Sequence, residues 1–296
     1  MTDWAPERIG GLAVVRTVAD LRRVIAAWHR AGERVALVPT MGALHRGHLA
    51  LVEHGRRVAR HTVASIFVNP TQFAPTEDFA RYPRDEAGDA AKLAGAFCDL
   101  LYAPGVDEMY PTGFAATVTA GPIAEGQDGR FRPSHFPGVA TVVTKLLLQS
   151  RADVACFGEK DYQQLQVIRH VVRDLDIPTR IDGVPTVREP DGLALSSRNV
   201  YLTAAERAIA PALHRTLLHA AERIETGAAT IAAATAEALA ALGRTGFARI
   251  DYFEVCDAET LMPLTTLGRP GRVLAAAWLG RTRLIDNVAL GVGHRA

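Results

Sequence analysis

The chain has 296 residues, 48% hydrophobic and 22% charged, with 33 Lys+Arg against 32 Asp+Glu. That length buries a sizeable core and fits two domains, or one with a large extension, while the balanced charge offers no footprint for nucleic acid or an anionic membrane. No apolar run is long enough to cross a bilayer, residues 1–8 lack the apolar core of a secretory signal, and Cys98, Cys156 and Cys256 lie far apart in apolar strand-like runs, so the expectation is a soluble, cytoplasmic enzyme without disulfides.

Residues 17–31 read as a helix capped by Thr17 and ended by Gly32. Leu21, Val24, Ile25 and Trp28 recur there at helical spacing, which makes Trp28 and its neighbour His29 packing residues. Residues 35–38 are a Val-rich buried strand, and Pro39, which cannot donate to a ladder, is expected to stop it. Gly42 and Gly47 bracket a tight turn before a helix over 48–60. A second apolar strand over 62–69 is halted by Pro70. Strand, helix and strand at this spacing form a right-handed βαβ unit of a parallel sheet.

Residues 70–84 hold three prolines and read as a binding loop or lid. A helix over 85–96 leads to a strand over 98–103. The stretch 105–136 reads as irregular, with a short strand at 117–119 and a glycine-rich passage at 126–129. Gly138 is expected to open a helix whose buried side carries Val139, Val142, Val143, Leu146 and Leu147. A strand over 153–157 runs into Gly158, Glu159, Lys160 and Asp161, then a helix to about Leu175 and a strand over 179–182. Beyond Thr203 the character changes. A helix over 203–225 with a Thr203/Glu206 capping box, an alanine-rich helix over 229–242 and strands at 249–255, 272–278 and 283–288 suit a smaller α+β domain. The expected division is 1–187, a Rossmann-like α/β domain, and 188–296, a smaller domain expected to close as a lid over the ligand site of the first by a hinge near 187–202.

Three segments offer groups suited to phosphate: residues 41–48, 158–161 and 195–198. The first two are strand-to-helix junctions, where an α/β sheet places ligands and where a helix N-terminus presents amides and positive charge. Glycine at 47 permits close approach. His45 and His48 add donors, although an isolated pair is more often an ordinary feature of a loop and helix. A zinc pair lacks a third ligand at familiar spacing. Lys160 opposes the dipole of the helix it precedes, a placement an anion would relieve. Ser196, Ser197 and the Arg198 fork suit a β/γ-phosphate.

His45-Arg-Gly-His48 resembles the H-x-G-H signature of the nucleotidyltransferase superfamily that includes class I aminoacyl-tRNA synthetases, and Leu195-Ser-Ser-Arg198 occupies the place of its second signature. Four longer strings resemble the pantoate–β-alanine ligase family over nearly the whole chain. They are Pro39-Thr-Met-Gly-Ala-Leu-His-Arg-Gly-His48, Phe67-Val-Asn-Pro-Thr-Gln-Phe73, Phe157-Gly-Glu-Lys-Asp-Tyr-Gln-Gln164 and Leu195-Ser-Ser-Arg-Asn199.

The resemblance implies that pantoate attacks the α-phosphate of ATP to give pantoyl adenylate and pyrophosphate, and that β-alanine then releases pantothenate and AMP. It implies Mg²⁺ bridging phosphate oxygens. It assigns ATP to Met41, Gly42, Ala43, Leu44, His45, Arg46, Gly47, His48, Gly158, Glu159, Lys160, Asp161, Val187, Leu195, Ser196, Ser197 and Arg198. Catalytic roles fall to His48, as acid toward the phosphates, with His45, Lys160 and Arg198. Gln72 and Gln164 would hold pantoate, Gln72 also β-alanine, and the molecule would be a homodimer. Asn69, Tyr82, Arg132 and His135 are weaker candidates without assigned roles. Arg46 departs from an acidic residue frequent in the family and Leu195 from a methionine; the latter swap is nearly isosteric. Two other readings share the H-x-G-H chemistry: transfer of AMP onto a phosphorylated metabolite, which wants a further basic pocket, and tRNA charging, which the near-zero net charge disfavours.

Overall fold

The runs at 35–38, 62–65, 100–102 and 154–157, mostly apolar, are buried on both faces, as parallel strands are when helices cover each side of their sheet. The computed structural model describes residues 4–74 and 79–291. Residues 75–78 of the expected loop, and residues 1–3 of the opening stretch, lie outside the described residues. Contacts divide the chain into two units: residues 1–121, 132–159 and 167–185, and residues 122–131, 160–166 and 186–296.

The first unit is built on a seven-stranded sheet of order β1-β2-β5-β4-β3-β6-β7. The strands are β1 Glu7–Ile9, β2 Leu12–Val15, β3 Val35–Thr40, β4 His61–Ile66, β5 Leu100–Tyr102, β6 Val154–Gly158 and β7 Arg180–Val184. All pair in parallel except the β1–β2 hairpin, which turns at Gly10 and Gly11 with φ of 56° and 87°. The helices are α1 Val18–Arg30, α2 Arg46–Val58, α3 Glu86–Gly95, the single turn α4 Val106–Met109, and α6 His135–Ser150; α7 Tyr162–Asp174 follows β6. From β3 the chain winds outward to β4 and β5 in one direction, and β6 and β7 extend the other. The carboxyl ends of β3 and β6 therefore flank the switch point, where such sheets bind ligands.

The second unit has an antiparallel sheet of order β10-β9-β8, formed by β8 Arg249–Asp257, β9 Gly271–Leu279 and β10 Thr282–Leu290. Helices α8 Ala204–Ile209, α9 Ala212–Glu225 and α10 Ile231–Thr245 accompany it. Leu213, Leu217, Ile224 and Leu242 pack with Val255, Val273 and Leu284 in its apolar core. The short helix α5 Gln127–Phe131 joins this unit through polar clips. Gln163 donates to the carbonyls of Ile123 and Gly126 and accepts the Asp128 N–H. Asp128 in turn receives Tyr252 Oη and Arg283.

Several expectations need correction. Pro39 does not end β3. Odd-numbered residues of the strand face β6, since the Val35 carbonyl receives the Asp153 N–H, and the β3–β6 pairing already stops at Leu37. The missing donor of Pro39 thus points where no ladder remains, while β4 pairs as far as Thr40. Helix α2 starts at Arg46 and ends at Val58, because His45 caps it. Helix α6 begins at His135, ahead of Gly138. Residues 117–119 form no strand; the Val118 N–H goes to the Thr141 hydroxyl. The expected helix over 203–225 is two, since Pro211, lacking an N–H, interrupts the ladder after Ile209. Its Thr203/Glu206 capping box is present. No helix among the described residues is long and apolar enough to cross a membrane.

Candidate active site

Immediately after β3 the backbone makes two consecutive left-handed steps, Gly42 at φ 82° and Ala43 at φ 50°. The second is costly for a residue with a Cβ, by about 1–2 kcal/mol. Asp89 on α3 holds this turn. Its carboxylate is 1% exposed, Oδ1 accepts the Leu44 N–H at 2.9 Å and Lys92 Nζ at 3.0 Å, and Oδ2 lies 3.2 Å from where a Cβ on Gly42 would sit.

The turn delivers His45 as the N-cap of α2. His45 Nδ1 accepts the Gly47 N–H at 3.1 Å, and His48 Nδ1 accepts the His45 N–H at 3.3 Å, closing a reciprocal capping box. Two consequences follow. The amides of Gly47 and His48 are taken up by the His45 ring, so they are not the open donors expected of a helix start. An imidazole accepting at Nδ1 carries its proton on Nε2 when neutral. The two rings, centroids 4.1 Å apart and tilted by 34°, therefore present Nε2–H donors. Arg46 is exposed, and Met41, Ala43 and Gly47 are half-buried.

Beyond β4, Pro70–Gln72 form a 3-10 turn capped by Asn69. Asn69 Oδ1 accepts Tyr110 Oη at 2.8 Å, Thr71 Oγ1 at 3.0 Å and the Thr71 N–H at 3.3 Å. Its Nδ2 then donates to Gln72 Oε1 at 3.0 Å and to the Gly138 carbonyl at 3.1 Å. Gln72 is thereby oriented. Its oxygen is engaged, and its Nε2 is aimed at Met41 Sδ, 3.1 Å away, a weak acceptor that a ligand oxygen outcompetes. The structure thus brings Met41, expected at ATP, against Gln72, expected at pantoate. His135 Nδ1 donates to the Gln72 carbonyl at 3.1 Å, and Gly138 on α6 packs directly on the backbone of Thr71 and Gln72. Burial raises the Tyr110 phenol above its ordinary pKa, against an opposing hydrogen bond with Thr71, so it is a neutral donor at physiological pH.

In the second unit, Lys160 sits in the 3-10 turn Glu159–Asp161 that follows Gly158 at the end of β6. Its side chain is 17% exposed, with Nζ 3.9 Å from Asp161 Oδ2. Gln164 is half-buried in the first turn of α7. Leu195, Ser196, Ser197 and Arg198 are half-buried and lead into the 3-10 turn Ser197–Tyr201, where Ser196 Oγ accepts the Arg198 N–H at 3.3 Å. The Val187 carbonyl accepts the Leu195 N–H at 3.0 Å. Among the described residues, no three His, Cys, Asp or Glu side chains group as a metal cage.

Asp89 and Tyr110 escape a reading based on motifs, and Gly138 is read there only as the start of a helix. Asp89 leaves one trace in the sequence: it is a carboxylate on the buried face that α3 shares with Ala90 and Leu93.

The family model described as Pantoate-beta-alanine ligase matches residues 13–289. The pantothenate synthetase of Paramagnetospirillum magneticum is 59% identical over 94% of this chain and 97% of its own length. That of Caulobacter vibrioides is 55% identical over 94% and 98%. The solved pantothenate synthetase of Thermus thermophilus superposes with a TM-score of 0.88 at 51% identity, covering 94% of this chain and 99% of that one. A Francisella tularensis pantoate-beta-alanine ligase, solved in complex with "Beta-gamma ATP and Beta-alanine", gives 0.77 at 32% identity over 94% and 97%. A 277-residue match to the family and relatives above 50% identity along almost the entire chain lead to one conclusion: this chain belongs to the pantoate–β-alanine ligase family.

Proposed function

We propose that His45, His48, Lys160, Ser196, Ser197 and Arg198 act on the phosphates of ATP, and that Gln72 and Gln164 hold pantoate, in the reaction of this family. That reaction is the ATP-dependent condensation of pantoate with β-alanine, an acid–amine ligation forming a C–N bond. A pantoate carboxylate oxygen attacks the α-phosphorus, the bond to the β-phosphate oxygen breaks, and pyrophosphate leaves. The amine of β-alanine then attacks the acyl carbon of pantoyl adenylate. The acyl C–O bond breaks, AMP departs with that oxygen, and the amine loses a proton.

Bringing an anion to an anionic phosphate requires fixed donors and cations where charge develops. The reciprocal cap of His45 and His48 carries this reading. It locks both rings so that Nε2–H, rather than a lone pair, is offered to a phosphate oxygen, at no cost of reorganisation during the reaction. His48 serves as donor to the leaving phosphates, Lys160 and Arg198 as cations, and the remaining residues of 41–48, 158–161, Val187 and 195–198 as the nucleotide's walls. Gln72, its oxygen held by Asn69, donates to pantoate, and it also contacts β-alanine, the ligand class present in the Francisella structure. Mg²⁺ bound together with ATP would supply charge neutralisation at the phosphates. Its usual coordination by phosphate and water needs no protein cage, so no residue is assigned to it. The three buried free cysteines suit a reducing cytoplasm, and membership of the family supports a homodimer, which light scattering would test.

The test is stoichiometry. ATP, pantoate and β-alanine should yield equal amounts of pantothenate, AMP and pyrophosphate; pyrophosphate formed without matching free AMP and pantothenate would favour simple nucleotidyl transfer.

A further inference from the structure

Two adjacent residues on β10 hold the two phosphate-directed segments of the second unit. Side chains of neighbouring strand residues point to opposite faces, and Asp286 and Asn287 use both. Asp286 is 4% exposed. Arg188 meets it through a two-pronged pair, Nη1 to Oδ2 at 2.7 Å and Nη2 to Oδ1 at 2.9 Å, and His214 Nδ1 lies 3.4 Å from Oδ2. Burial acts to raise this carboxyl's pKa, but His214 and Arg188 outweigh it and leave it below the ordinary carboxylate range. The same guanidinium donates to the Gly192 carbonyl at 3.1 Å. Arg188 and Ala194 form a β-bridge, and Leu195 N–H closes on the Val187 carbonyl. The backbone entering Ser196 is thus fixed to β10 through one charged pair.

On the other face, Asn287 Nδ2 donates to the Lys160 carbonyl at 2.9 Å. Arg272 Nε donates to Asn287 Oδ1 at 2.6 Å, which sets the orientation of the amide. The Arg272 guanidinium also lies 4.0 Å over the Tyr162 ring, and Tyr162 Oη donates to the Ala258 carbonyl at 2.9 Å. The turn bearing Lys160 is therefore tied to the same strand, one residue along.

We infer that Asp286 and Asn287 are positioning residues for adenylation: Asp286, through Arg188, sets the run into Ser196, Ser197 and Arg198, and Asn287 sets the backbone of Lys160. A single strand thereby fixes the spacing of the cations that meet the phosphates. The inference rests on the assignment of Lys160 and Arg198 to ATP.

The test separates the half-reactions. Adenylation is followed by pantoate-dependent exchange of labelled pyrophosphate into ATP, and aminolysis by adding β-alanine to supplied pantoyl adenylate. Asn287→Ala and Asp286→Asn should raise KM for ATP in exchange by about 10- to 100-fold, the scale of a small misplacement of reacting groups. Aminolysis, which needs no β- or γ-phosphate, should stay within about threefold on the same scale of argument. Ala289→Ser on the same strand should change neither. An unchanged KM for ATP in Asn287→Ala overturns the inference, as does an equal loss in both half-reactions. Should Asp286→Asn fail to fold, Asn287→Ala, which removes no charge, still decides. If Lys160→Ala and Arg198→Ala leave exchange untouched, the assignment of the site itself has failed.

Discussion

Replacing Gly138 by alanine tests whether the 69–72 turn is the pantoate site. Gly138 lies inside α6 in ordinary helical geometry, so alanine brings no backbone strain and improves helix propensity by about 1 kcal/mol. Its Cβ, however, would stand 2.6 Å from the Thr71 carbonyl oxygen and 2.7 Å from Gln72 N and Cα. These are backbone atoms and cannot rotate away. The turn must retreat by roughly 0.8 Å to restore contact near 3.4 Å, and overpacking of this kind costs about 1–3 kcal/mol. Net of the helix gain, the loss is about 0–2 kcal/mol, so the variant should fold and melt only a few degrees lower. The retreat moves Gln72 and stretches the Asn69 bond to the Gly138 carbonyl. Misplacement of this size lowers activity by up to about 100-fold. In initial-rate assays, KM for pantoate should rise at least about tenfold while KM for ATP stays within about twofold. A folded variant with an unchanged KM for pantoate would refute the reasoning.

His48→Ala should slow pyrophosphate exchange by about 10²–10⁴-fold, the range for a positioned proton donor or charge-stabilising group; a near-parental rate removes it from the mechanism. Asp89→Ala leaves the Leu44 N–H unpaired beside the left-handed turn, at about 1–3 kcal/mol, and should raise KM for ATP while sparing pantoate; equal effects on both would mean general unfolding. Burial pushes the thiols of Cys98, Cys156 and Cys256 up to about 12, so at pH 8 all three are neutral and shielded. A thiol reagent should label none in the folded protein and three after denaturation. Because these pKa values are raised in the folded state, their contribution to stability is complete below pH 9 and is lost as pH climbs toward 12. Chemical denaturation at pH 8 and pH 10.5 checks the sign, and greater stability at the higher pH would contradict it.

The central strands were legible because Val35, Leu37, Val63, Ala64 and Val154 are buried on both faces, a condition that concentrates β-branched and aliphatic residues in short runs. Their ends were not, because proline excludes only the ladder its nitrogen faces. Pro39 shows that a breaker cannot be read without knowing which neighbour lies on that side. Pro211 is the converse case, where helical periodicity on either side hides an interruption. Of the residues proposed to act on ATP, His45, His48, Lys160 and Arg198 are visible as motifs, yet the contacts that orient them are not. Each His ring accepts a backbone N–H at the start of α2, and Gln72 depends on Asn69 and on a glycine 66 residues away in sequence. Asp286 and Asn287 pass as ordinary polar residues of a C-terminal strand until their partners Arg188 and Lys160 are placed. Long-range hydrogen bonds of this kind leave no local period.

The most direct test of the account follows one oxygen. Pantoate labelled with ¹⁸O in its carboxylate, incubated with ATP, Mg²⁺ and β-alanine, should transfer a single labelled oxygen to AMP. The attacking carboxylate oxygen stays on the α-phosphorus when the acyl C–O bond breaks. Label found in pyrophosphate, or absent from AMP while pantothenate accumulates, would contradict the adenylate and the roles given to His45, His48, Lys160 and Arg198.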